Sequence, residues 1–162
     1  MISIHPLGIV SSTADIEDST RGSQVTIGAN SMVDSFVKIK FAGGIGDIII
    51  GSSTYINSGC VLYSGNGIKI GDHVSIAANV VFAPVNHAFE KKDLLIQKQG
   101  FKASKGGIVI EDDVWIGAGC VLLDGSVVRR GSVIGAMSLV RGEVPAYNIH
   151  VGNPMKLVGW RK

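Results

Sequence analysis

Aliphatic residues fall at Ile110, Ile116, Leu122, Val128, Ile134 and Val140, an unbroken six-residue period, and four places after each sit Val114, Cys120, Ser126, Ser132, Ser138 and Val144, always small or apolar. The same register runs earlier through Ile27, Val33, Ile39 and Ile45, with Ser31 and Val37 at the small site. It returns at Ile50, Ile56 and Leu62, with Thr54 and Cys60, and again at Ile70, Ile76 and Phe82. An amphipathic helix repeats its apolar stripe every three to four residues, and a hairpin meander spaces its turns less regularly, so a period of six fits neither. It predicts strand-and-corner units, three of which close a triangular coil, with the aliphatic side chains stacked inward and the small fourth-step residue also pointing in. Glycine follows the aliphatic in IGANS, IGSST, IGDHV, IGAGC and IGAMS, which predicts a tight turn after each strand. The phase slips between Ile45 and Ile50 and between Leu62 and Ile70 are expected at corners. The expected fold is all-β, a parallel β-helix shaped as a triangular prism.

Composition agrees with that pattern. Isoleucine (20) and valine (19) far outnumber leucine (8), and these χ1-restricted side chains favour strands, while the 22 glycines supply corners. With 15 basic and 13 acidic residues and no basic stripe, nucleic acid is not an expected partner. No apolar run approaches the roughly 20 residues of a membrane span. The stretch MISIHPLGIV has neither a basic flank nor a cleavage-like site, so no membrane insertion is expected and a cytoplasmic location is. Cys60 and Cys120 lie far apart at inward fourth-step positions, which marks them as core thiols rather than zinc ligands or a disulfide.

The pattern fails in one long stretch. Between Phe82 and Ile110 no hexad occurs, and residues 83–107 are expected to leave the prism as an excursion loop. Loops longer than about 12–15 residues in a compact domain are usually functional, so chemistry is expected here. The loop holds His87, and histidine, the side chain that ordinarily exchanges a proton near neutral pH, suits general-base work. The chain reads as one domain, with residues 1–24 as a non-repeating cap and 145–162 as a C-terminal tail.

The segments NHAFE and QG, then IVIEDDVWIGAGCVLLDGSVVRRGSVIGAMSLV and VPAYNIHVGNPMKLV, resemble the hexapeptide-repeat acyltransferases, and within them the O-acetyltransferases acting on sugars and polysaccharide precursors such as those of lipopolysaccharide or capsule. The resemblance implies a left-handed coil, a homotrimer, and acetyl-CoA bound in the groove between neighbouring prisms, with no metal. His87 matches the family's loop histidine, the general base that takes a proton from the acceptor hydroxyl. Asn86 and Glu90 flank it, one expected to contact the sugar and the other to orient the imidazole. Trp115, Gly117, Ala118 and Ala136 match positions lining the pantetheine channel. Lys156, in Gly152-Asn153-Pro154-Met155-Lys156, matches a cation near the CoA phosphates, to which Arg161 and Lys162 would add. Arg141 stands where a threonine-lysine pair is common in the family and is expected to substitute in a cofactor contact, and Met155 stands where a small residue is common. An acyl-cysteine would need an accessible, low-pKa thiolate, and nothing electropositive adjoins either cysteine, so direct transfer is expected. His73 follows Gly-Asp at a coil corner, His5 and His150 lie outside any motif, and all three lack metal-ligand spacing and are expected to be structural or exposed. The readings that stay open are an amine acceptor on an amino sugar or antibiotic, a non-catalytic β-solenoid, and a γ-type carbonic anhydrase, which needs three zinc-binding histidines.

Overall fold

The computed structural model describes residues 1–162 and folds into stacked triangular coils whose strands form three sheets. The first sheet contains Ile2–Ile4, Val25–Ile27, Ile48–Ile50, Ile68–Ile70, Ile108–Ile110, Ser126–Val128 and Glu143–Val144. The second contains Ile9–Val10, Met32–Val33, Tyr55–Ile56, Ser75–Ile76, Trp115–Ile116, Val133–Ile134 and Asn148–Val151. The third contains Asp15–Ile16, Lys38–Lys40, Val61–Tyr63, Val81–Ala83, Val121–Leu123 and Leu139–Val140. All these pairings are parallel, and only Lys156–Trp160 runs antiparallel, beside Asn148–Val151. No helix is long and apolar enough to cross a membrane.

The core is one column of 27 buried apolar residues. At the fourth step the buried hydroxyls find partners in the next coil's backbone: Ser31 donates to the Gly51 carbonyl at 2.6 Å, Thr54 to Gly71 at 2.8 Å and Ser132 to Pro145 at 2.8 Å. A buried hydroxyl without a partner would cost about 1–3 kcal/mol, so these bonds make small polar residues tolerable in the column.

Four expectations are corrected. Ile45 is 75% exposed, and Ile48 and Ile50 take the inward places instead. Residues 41–47 bulge from the edge between the third and first sheets, and all the variable-length connections (17–24, 41–47, 64–67, 84–107, 124–125 and 141–142) lie on that same edge. Residues 1–24 are not a non-repeating cap: Ile4, Val10 and Ile16 carry the six-residue register and pair with Ile27, Val33 and Ile39. The tail likewise contains a strand of the prism, with His150 opposite Ile134. Finally, where glycine follows the aliphatic, it does not supply the turn. The positive φ falls three residues after the aliphatic, at Asn30, Ser53, His73, Asn79, Gly119 and Met137. Gly28 and Gly117 are needed for close stacking: a Cβ on either would lie 2.5 Å from backbone of the next coil, at the Gly51 oxygen and the Ala136 nitrogen.

Candidate functional site

The long loop departs after Val81–Ala83 and closes into a hairpin: the Ala88 N–H donates to the Gly100 carbonyl at 3.0 Å, and the Lys102 N–H to the Asn86 carbonyl at 2.8 Å. This pairs His87 with Phe101, their ring centroids 4.7 Å apart and tilted by 46°. The imidazole is exposed, so it is held by stacking and backbone pairing yet open to a reacting group. Around the short helix Ile96–Gln99, the Gln99 side chain accepts from the Lys91 N–H at 3.0 Å and donates to the Lys91 and Leu94 carbonyls at 2.8 Å, which braces the tip.

Asn86 is half-buried and lines a cavity of about 210 Å³ with Phe89, Lys102, Lys105, Asp124 and Arg141. The Glu90 carboxylate pairs with the Lys102 ammonium and accepts the Phe89 N–H at 3.0 Å, while that ammonium also lies 4.1 Å over the Phe89 ring. Its hydrogen bonds therefore go to Lys102 and Phe89 and not to His87, because a residue three positions further along the same strand of the hairpin reaches across to the partner strand. The hydrogen bond from Lys102, reinforced by the Phe89 N–H, pulls the Glu90 carboxyl down to about 2. A depressed carboxylate stabilises the folded loop above its unfolded value of about 4.3 and loses that contribution as pH falls through the folded value. Titration of the Glu90 carboxyl by NMR is expected to give a midpoint near 2, with hairpin protection weakening between about pH 4.3 and 2. A midpoint above 4 contradicts the pairing.

Of the expected cofactor residues, Ala118 and Ala136 are exposed and stack in adjacent coils on the edge between the second and third sheets, where the Met137 N–H donates to the Ala118 carbonyl at 2.8 Å. Gly117 is buried beside them, and the exposed Lys156, opposite Val151, continues this edge toward the end of the prism. Trp115, 53% exposed, stands on the second sheet between Ser75 and Val133, against a cavity of about 450 Å³ that includes His73, Asp113 and Arg161. Arg161 is engaged there, donating to the Asp113 carboxylate at 2.9 Å and the Gly131 carbonyl at 3.0 Å, so it does not join Lys156. Arg141 lies across the third sheet, in the cavity with Asn86. Trp115 stands apart on the second sheet, and the other candidate residues divide between two edges of one chain: a smooth edge of small residues ending in Lys156, and a loop-bearing edge with His87, Asn86, Glu90 and Arg141.

Cys60 and Cys120 are fully buried, and their thiols donate to the Ala77 and Gly135 carbonyls at 3.1 and 3.2 Å. Burial pushes the Cys60 thiol up to about 11 and raises Cys120 as well, so neither is a nucleophile. His150 is partly buried with Nδ1 unpartnered, and burial holds its imidazole below the ordinary value. No group of three or more His, Cys, Asp or Glu side chains is placed to hold a metal ion. Phe101, Lys102 and Asp124 escaped the sequence analysis. Phe101 and Lys102 become neighbours of His87 and Glu90 only through the hairpin, while Asp124-Gly125 carried no signal beyond that of a turn.

Residues 107–142 match the family described as bacterial transferase hexapeptide (six repeats). The chain is 30% identical over 128 residues to a galactoside O-acetyltransferase of Lactococcus lactis, the match covering 79% of this chain and 59% of the relative. It is 34% identical over 125 residues to the mitochondrial gamma carbonic anhydrase 2 of Arabidopsis thaliana, covering 72% of this chain and 45% of that one. The chain therefore spans about half the length of these curated relatives. Among solved structures, a point mutant of the N-acyltransferase AntD from Bacillus cereus, in complex with dTDP-4-amino-4,6-dideoxyglucose and coenzyme A, superposes with a TM-score of 0.81 at 27% identity, over 96% of this chain and 84% of AntD. The hexad register, the three parallel sheets and these likenesses agree: residues 107–142 carry the repeat of the hexapeptide transferases, and the chain has the left-handed parallel β-helix of its acyltransferase neighbours.

Proposed function

We propose that the protein is an acetyl-CoA-dependent acetyltransferase that acylates a hydroxyl of a sugar or polysaccharide precursor by direct transfer in a ternary complex, and that it works as a cytoplasmic homotrimer. The observation that carries this reading is the exposed His87 imidazole, pinned by Phe101 on a loop that leaves an otherwise regular prism. In the reaction, His87 takes the proton of the acceptor hydroxyl as its oxygen attacks the thioester carbonyl, and the collapsing intermediate expels the CoA thiolate, which receives that proton back. Asn86 stands beside His87 to hold the acceptor. The edge with Gly117, Ala118 and Ala136 suits the narrow pantetheine arm, since small side chains allow close approach to backbone amides, and Lys156 suits the CoA phosphates. The two edges of one chain point apart and would face each other only between neighbouring prisms, which supports a trimer in which neighbours complete each site.

A screen of sugar, sugar-nucleotide and amino-sugar acceptors with acetyl-CoA, read by thiol release, tests the activity. Thiol release with amines alone would move the assignment to the second reading, N-acylation, which the likeness to AntD supports. Metal analysis with a CO2-hydration assay separates both from a carbonic anhydrase. A solution mass near the single chain's 17.0 kDa at working concentrations would contradict the trimer. Lys156→Glu is expected to weaken acetyl-CoA binding, with the loss shrinking as salt screens the reversed charge; unchanged affinity by calorimetry would remove Lys156 from the site.

A further inference from the structure

Asp124 is only 6% exposed, and both of its carboxylate oxygens accept backbone N–H groups of the loop's return leg: Oδ2 from Lys105 at 2.8 Å and Oδ1 from Gly107 at 2.9 Å. Directly after it, the Gly125 N–H donates to the Gly107 carbonyl at 2.6 Å. The φ of Gly125 is +81°, and a Cβ there would lie 2.8 Å from the Lys105 Cβ, so the contact closes only with glycine. The return leg runs without a break from this clamp to Phe101 and Lys102, the partners of His87 and Glu90 in the hairpin. On the outgoing side, only Pro84 and Val85 separate the prism from Asn86.

We infer that Asp124 is a positioning residue for the proposed transfer: it clamps residues 105–107 to the prism, and through Phe101 fixes where His87 stands. This rests on the reading of His87 as the base. A buried carboxylate that satisfies two amides is a strong tether, because charge-assisted hydrogen bonds exceed neutral ones about twofold, and removing the carboxylate leaves both donors unpaired. Asp124 lines the cavity that Asn86 and Arg141 also line, but both of its carboxylate oxygens are taken up by loop amides, so it acts through the loop.

Hydrogen exchange and kinetics on Asp124→Asn and Asp124→Ala in the intact protein test the inference. Exchange at residues 100–107 is expected to accelerate about tenfold or more in Asp124→Ala and less in Asp124→Asn, with the sheets unchanged. The kcat is expected to fall about tenfold or more in Asp124→Ala, with the KM for acetyl-CoA within a factor of about two and partial recovery in Asp124→Asn. Adding Asp124→Ala to His87→Ala should lower the rate no further, since a positioning residue has nothing left to position. Wild-type exchange in the loop, or additive losses in the double variant, overturns the inference. If the wild-type protein shows no transferase activity, the functional reading fails while the exchange measurement still decides whether the clamp exists. Should Asp124→Ala fold poorly, Asp124→Asn carries the same comparison.

Discussion

Replacing His87 with alanine lowers kcat by about 10²–10⁴-fold and leaves acetyl-CoA affinity nearly unchanged, because general-base assistance is an interaction made in the transition state and not in the ground state. Folding survives the change. The imidazole is exposed and packs on a single ring, Phe101, so truncation opens no cavity in the column of aliphatics and the melting temperature should stay close to wild type. Steady-state kinetics and a thermal melt on the same preparation suffice. Full activity in the variant removes His87 from the chemistry, and loss of activity together with loss of the oligomer makes it a structural residue.

Phe82→Ala is expected to have the largest effect on stability, about 3–5 kcal/mol. Phe82 is the largest fully buried side chain of the core column, stacked in register between Leu62 and Leu122. The prism cannot collapse around the vacancy, since its sheets are held apart by backbone ladders on three sides, so most of the cavity's cost should persist. For a chain of this size each kcal/mol corresponds to roughly 2–4 °C, which places the shift at about 10 °C. Phe82→Leu should cost distinctly less. Both are measured at fixed protein concentration, because an oligomer's melting point depends on it. A shift of only about 1–2 °C for Phe82→Ala would mean that the neighbouring coils do close the gap. Phe82 is also the last inward residue before the loop, so activity well below the melting temperature reports whether the loop's root moved with it.

The hexad register was legible because a stacked coil imposes the same environment every six residues: an inward place, a small place and a corner. The period extends to Ile4, Val10 and Ile16 as well, in the first coil. It misled at Ile45, which keeps the spacing but stands on the variable edge, where added residues shift the phase. His87 could be singled out because a stretch without repeats interrupts a chain full of them. Its environment could not be read that way. That Phe101 stacks on His87, that Glu90 spends its charge on Lys102, and that Arg161 is bound to Asp113 are consequences of chain reversals and coil stacking that bring together residues 12 to 48 positions apart.

The three-sided prism and the burial of the two cysteines follow from residue order alone, because periodicity encodes which side chains face inward and small residues mark where space is tight. Three features emerge only once the coils are stacked: why glycine follows the aliphatic at Gly28 and Gly117, where the loop is clamped, and how the candidate residues spread over the edges and faces of one chain. The reason is physical. Inward or outward orientation is set locally by strand alternation, whereas approach distances between coils and the docking of a loop's return leg depend on backbone atoms that no residue type announces.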